Sequence, residues 1–241
     1  MKIPHLHSLD LARIAPLTIE QKRIELRRLK EGRPPYSYKP VRLSLPEILN
    51  VDAGPLGIVP RAPYEQVAKE IERQSTSEAE KNANLTLAST LYKYVDSNGL
   101  SGRRNEFFPL VIGTTVKVSY WVPAVVALDG RPTVLFIDPR RTKKLTEVSR
   151  RFVLSVMNQR IRVADPDYSE VELAIMQFNG DKKDKTLRIP KIHTAAGISL
   201  FDYDTINSMI KETYKILREV WVEREELQKR DTRRPTAGGF F

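Results

Sequence analysis

The chain has 241 residues, with 40 Lys/Arg against 30 Asp/Glu, a formal net charge of +10 and no cysteine. That length suffices for a buried core in one large domain or two small ones, and 41% apolar with 29% charged residues excludes wholesale disorder. The absence of thiols excludes disulfide staples, thiolate zinc sites and cysteine nucleophiles, and it suits a reducing cytoplasm, the expected location.

The first residues, MKIPHLHSLDLARIAP, lack the continuous apolar stretch of a signal peptide. The longest apolar run, Tyr120 to Leu128, is nine residues with Pro123 inside it, far short of a membrane span. A pI near 9.7 favours a polyanionic partner, nucleic acid before any other, and no membrane partner is expected.

In chain order, Thr18 and Gln21 form a capping box ahead of IEQKRIELRRLKE, and Gly32-Arg33-Pro34-Pro35 stops that helix. Seven prolines fall between Pro34 and Pro63, which predicts an extended arm along the surface, interrupted by a short helical turn capped by Ser44. Helical spacing returns from Tyr64 to about Val95 through Val67, Ile71, Leu85, Leu87, Leu91 and Tyr94, with a break near Ser75-Thr76-Ser77. Asp96-Ser97-Asn98-Gly99 ends it.

The period then changes to that of strands. FFPLVIGTTVKVSYWVPAVVALDGRPTVLFIDP is rich in β-branched and aromatic residues, and Asp129-Gly130 marks a hairpin between PAVVAL and PTVLFI. Val134 to Ile137 reads as a central buried strand ended by Asp138-Pro139. A helix from about Lys144 to Ile161 follows, with Val148, Phe152, Val156 and Met157 facing inward. Asp165-Pro166-Asp167 turns the chain into the strand VELAIMQF, and TLRIPKI is the next strand. Asp202 to about Arg230 reads as one long amphipathic helix.

These elements predict an α+β fold: a mixed β-sheet flanked by helices, with an N-terminal helical and Pro-rich arm and a long C-terminal helix. The expected organisation is a helical segment and arm over 1–62, a core domain over 63–230, and a flexible tail over 231–241.

The charge is localised. From Arg140 to Arg162 eight cations, Arg140, Arg141, Lys143, Lys144, Arg150, Arg151, Arg160 and Arg162, face the single acid Glu147. Lys143, Lys144, Arg150 and Arg151 recur at helical spacing, and Arg140 and Arg141 lead into the helix N-terminus, where backbone N–H groups also attract phosphate. Such a face neutralises backbone phosphates without reading base sequence. Lys182, Lys183 and Lys185 on the following hairpin turn are a second candidate contact, diluted by Asp181 and Asp184.

The order helix, hairpin, buried strand, helix, strand from Leu85 to Phe178 resembles the core of the restriction-endonuclease-like (PD-(D/E)XK) nuclease superfamily. In that family an acid near the second strand and an acid-x-Lys pair on the third hold a divalent metal. The positions nearest here are Asp129 and the triplet Asp138-Pro139-Arg140, with arginine in place of the lysine and proline in its middle. The resemblance implies a nuclease-like core whose chemistry is lost or moved. Were it active, Asp129 and Asp138 would be the catalytic pair and would coordinate Mg²⁺; otherwise no cofactor is expected.

Other chemistry is thin. His5, His7 and His193 are too few for a thiol-free zinc site, and no Gly-rich phosphate loop or nucleophile elbow is present. Trp121 and Trp221 read as core residues. The arm from Pro34 to Pro63 and the terminal Gly238-Gly239-Phe240-Phe241 have the composition of segments that lie on a protein partner. The sequence therefore predicts a DNA-directed nucleic-acid-binding accessory protein. A metal-dependent nuclease using Asp129 and Asp138 and a scaffold subunit of a larger complex are the alternatives.

Overall fold

A computed structural model describes residues 5–29, 37–51, 60–112, 116–180 and 188–232. Its centre is a five-stranded mixed sheet in the order β1-β4-β5-β6-β7, made of β1 (Gly102–Arg104), β4 (Ala124–Leu128), β5 (Arg131–Ile137), β6 (Glu172–Gly180) and β7 (Arg188–Thr194). β2 (Leu110–Ile112) and β3 (Val116–Val118) pair antiparallel as a separate ribbon. The β4–β5 hairpin turns at Asp129 (φ 50°) and Gly130 (φ 73°), the two left-handed residues that a two-residue turn matched to strand twist requires. β5 runs parallel to β6, and helix α7 (Glu147–Arg160) is the crossover between them.

The alternation along β5 and β6 explains why both faces need cover. Val134, Leu173 and Ile175 join one core with Phe152, Val156 and Met157 of α7, Leu11 of α1 (Ser8–Ile14) and Ile206 and Ile210 of α8 (Tyr203–Thr232). Leu135, Ala174, Met176 and Phe178 join the other, against α5 (Tyr64–Gln74) and α6 (Glu78–Asn98). A strand buried on both sides reads as an unbroken apolar run, as Val134 to Ile137 does. Each fully buried aliphatic or aromatic side chain in these layers contributes about 1.5–3 kcal/mol.

The mixed sheet flanked by helices, the long C-terminal helix, the capping box of α2 (Ile19–Arg27) and the break between α5 and α6 are all present. Gly99 (φ 58°) closes α6 in the left-handed conformation that only glycine adopts freely.

Several expectations need correction. Residues 37–51 are no extended arm: the expected short helical turn is present as α4 (Leu45–Ile48), but α3 (Lys39–Leu43) precedes it, and Val41, Leu45, Ile48 and Leu49 are buried in the second core. Proline at the first turn of each helix is tolerated, because the missing N–H has no intrahelical partner there. Ser44 makes no side-chain cap bond to α4. α1 packs on α7 and α2 on α8. α8 runs to Thr232, past the expected end near Arg230. Gly238-Gly239-Phe240-Phe241 lies outside the described residues.

Candidate functional site

The end of the central strand is organised by one buried carboxylate. Asp138 is fully buried and accepts from Arg140 Nε (3.1 Å), Arg140 N (3.3 Å), Leu145 N (3.1 Å) and Gln177 Nε2 (3.1 Å). A buried negative charge needs such a set of donors to offset its lost hydration. Its bond to the amide two residues on is the turn-forming role that Asp-Pro suggests. With both oxygens held, Asp138 sets the path from β5 into α7, which starts at Glu147 behind the Thr146 cap instead of near Lys144.

This geometry overturns the metal pair. Asp129 sits in the β4–β5 turn and Asp138 beyond the far end of β5. At ~3.3 Å of rise per residue, the strand between them holds them roughly 25–30 Å apart. Carboxylates must lie within about 5 Å to share Mg²⁺. Asp138 is moreover committed to protein donors, and among the described residues no group of three or more His, Asp or Glu is placed to hold a metal. The residues do not fit the ion, and no catalytic step runs through it.

The basic segment is also divided. Arg140 is neutralised by Asp138 and by Asp10 (3.5 Å). Arg162 donates to Val171 O (2.7 Å) and lies 3.9 Å from Glu172. Arg160 donates to Phe108 O (3.0 Å), at the opposite end of α7 from Lys144. Arg151 stacks its guanidinium 3.8 Å from the Phe201 ring centroid. Arg141 and Lys143 are exposed, the latter at φ 52°. Val148, expected to face inward, is 36% exposed, whereas Phe152 to Met157 are buried all round because α7 is covered by the sheet, α1 and α8. The polar side of α7 is therefore split between its first turns and its last, at Asn158, Gln159 and Arg160. Lys182, Lys183 and Lys185 lie outside the described residues.

Lys144 and Arg150 remain, and both reach β6. Lys144 Nζ donates to Phe178 O and Asn179 Oδ1, both at 2.9 Å. Arg150 Nη1 donates to Leu145 O (3.2 Å) and Gln177 Oε1 (3.4 Å). In the β6–β7 register Gln177 faces Lys191 and Ile175 faces His193. Period-2 alternation then puts Lys191 and His193 on the α7 side of the sheet, beside those two cations. The ionisation of His193 agrees: burial first, then the positive charges of Arg150, Lys191 and Lys144, hold its pKa below the usual imidazole value. Lys191 lies in no run of charge, and His193 reads in the sequence only as a lone histidine. The available signal was their i, i+2 spacing in RIPKIHT.

A second surface is apolar. Phe107 wedges edge-on between Tyr168 (centroids 5.1 Å) and Trp121 (6.4 Å), and Tyr168 Oη donates to Asn105 Oδ1 (2.8 Å). This anchoring leaves the neighbouring Phe108 79% exposed, next to the segment carrying Val163, which is 63% exposed. A large exposed aromatic on a fixed loop is the kind of group that protein interfaces use as an anchor.

Comparison with known proteins gives three findings. A family model described as sliding clamp-binding bacterial toxin SocB matches residues 9–227. A protein of Caulobacter vibrioides (strain NA1000 / CB15N) named DNA replication inhibitor toxin SocB is 30% identical over 245 residues, covering 100% of this chain and 98% of that protein. Among solved structures, LHK-Exo in complex with dAMP overlaps 89% of this chain and 98% of its own at 10% identity, with a TM-score of 0.32, too loose a likeness to carry an argument.

Proposed function

The chain belongs to the SocB family of sliding clamp-binding bacterial toxins, and from that membership we propose that it is a toxin that binds the sliding clamp and thereby blocks DNA replication. The observation that carries the reading is coverage: the likeness to the replication inhibitor spans both chains from end to end, so it concerns a whole molecule and not one shared layer. Blocking replication by occupying the clamp would need no catalytic group, which suits a chain whose two acid candidates stand at opposite ends of β5. The surface it offers a protein partner is the loop bearing Phe108, with Val111 and Val163 close by on β2 and after α7. Burying an aromatic there gains hydrophobic free energy without reordering the loop, because Phe107 already fixes it.

The experiment is clamp-dependent primer extension with the purified chain and the sliding clamp of its own bacterium. Synthesis is expected to fall as the chain is added, while extension by the polymerase without clamp is unchanged, and the two proteins should co-elute. Absence of a complex, together with equal inhibition with and without clamp, would remove the reading. Phe108→Ala is expected to weaken the complex without loosening the fold. A nucleic-acid partner would be met elsewhere on the chain, by the cations beside β7.

A further inference from the structure

We propose that the face shared by the first turns of α7 and strand β7 binds the phosphodiester backbone of duplex DNA, with Lys144, Arg150 and Lys191 as the phosphate contacts. Three observations carry this. The first is position: Lys144 and Arg150 hold Asn179 and Gln177 of β6, and Lys191 stands opposite Gln177 on β7, so three cations from two elements share one face. The mutual field is felt by His193, which all three disfavour from protonating.

The second is what those cations bond. Lys144 reaches a carbonyl and an amide oxygen, and Arg150 does the same. Among the described residues neither of them, nor Lys191, has an acid within ion-pair distance, whereas Arg13, Lys22, Arg23, Arg27, Arg28, Arg61, Arg73 and Lys81 all do. A neutral oxygen orients an ammonium or guanidinium without cancelling its charge. Lys144 keeps a third N–H, and Arg150 three of its five, for an incoming anion. The side chains are thus held in place before binding, which lowers the entropy that contact with a phosphate costs.

The third is openness. β7 is the edge strand, and on this face α7 covers β6, leaving Lys191 and Ile189 exposed. A backbone contact of this kind reads no base sequence. The choice of DNA over RNA rests on the replication reading above, since a sliding clamp encircles DNA; the phosphate face itself does not rest on it.

The test is fluorescence anisotropy with a labelled duplex of mixed sequence across a salt series from about 50 to 200 mM. The wild-type chain is expected to bind with a log–log salt slope near −2.7, from about 0.9 per phosphate contact. Lys191→Gln and Lys144→Gln should each flatten that slope by about one unit, and the double variant by about two. Lys191 is exposed and has no side-chain hydrogen bond or ion pair among the described residues, so Lys191→Gln stays informative if Lys144→Gln proves less stable. Lys215→Gln, at an exposed position on α8, removes the same charge elsewhere and should leave the slope unchanged. No duplex binding at low salt, an unchanged slope in the double variant, or an equal effect of Lys215→Gln would overturn the proposal. Tighter binding to duplex RNA of the same length would overturn the DNA assignment. The clamp complex should be unaffected by the double variant, so loss of clamp binding and loss of DNA binding report on different surfaces.

Discussion

Along the α2–α8 contact, Lys22, Arg23 and Arg27 meet Glu212, Glu219 and Glu223, and Arg224 donates to Leu26 O, Arg27 O and Leu29 O. At the start of α7, Lys144 and Arg150 meet, among the described residues, only carbonyl and amide oxygens. Both regions carry a cluster of cations in the sequence, Lys22, Arg23 and Arg27 in the first and Lys144, Arg150 and their neighbours in the second. In the first the charge is cancelled and serves to fasten the N-terminal helices onto α8. In the second it is oriented and retained. A count of Lys and Arg along the chain cannot separate the two, because the acids that decide it lie about 190 residues away in sequence, as Lys22 and Glu212 do.

The largest effect is expected where the two patterns meet. Asp138 is the buried acid at the cationic end of the fold, and Asp138→Ala removes the acceptor of four donors at once, two of them buried. Removing one partner of a buried charged network costs about 3–5 kcal/mol, and thermal unfolding should show that loss. A drop below about 1 kcal/mol would mean that the carboxylate does not organise this end.

Next is Glu212→Ala, which leaves the buried ammonium of Lys22 without its acid. Glu212 is 39% exposed, so water partly replaces it and the cost should fall below the ~3–5 kcal/mol of a fully buried pair. Lys22→Met combined with Glu212→Leu should recover most of that stability in denaturant titration.

Glu80 inverts the comparison, being a carboxylate held by neutral donors. It accepts from Ser37 N and Oγ (3.0 and 2.8 Å) and from Thr76 N and Oγ1 (2.8 and 2.7 Å), which lowers its pKa from 4.5 to about 2. The folded value lies below the unfolded one, so its contribution is complete above pH 4.5 and is lost as pH falls toward 2. A Glu80→Gln variant should lack that component of the acid-unfolding curve; an unchanged curve would show that Glu80 is not clamping the chain at Ser37.

Smaller still is Arg27→Ala, an exposed pair with Glu223 worth about 0.2–1 kcal/mol and reduced by salt. The smallest is Lys191→Gln, which should shift stability by less than about 0.5 kcal/mol while altering DNA binding.

Much of the architecture was legible because it is local. The Thr18–Gln21 box, the break near Ser75-Thr76-Ser77, the Asp129-Gly130 turn and the apolar run of β5 each carry their own signal. The Pro-rich stretch misled, because prolines at first-turn positions begin helices as readily as they prevent them, as Pro40 and Pro46 show. The metal pair misled for a different reason. Asp129 and Asp138 are nine positions apart, yet a straight strand converts that closeness into the full length of the sheet. The cationic site was half visible: the α7 end was in the charge count, and the β7 end needed the β6–β7 register, which no local pattern supplies.

The most direct measurement is a matched pair of charge reversals, Lys191→Glu and Arg27→Glu, each lowering the net charge equally, with duplex affinity determined at one fixed salt concentration. Loss of at least about tenfold for Lys191→Glu and under about twofold for Arg27→Glu is the expected result, since only the first removes a cation that is not already neutralised. Equal losses would show that the duplex responds to net charge alone, and that the distinction between cancelled and retained cations has no functional content.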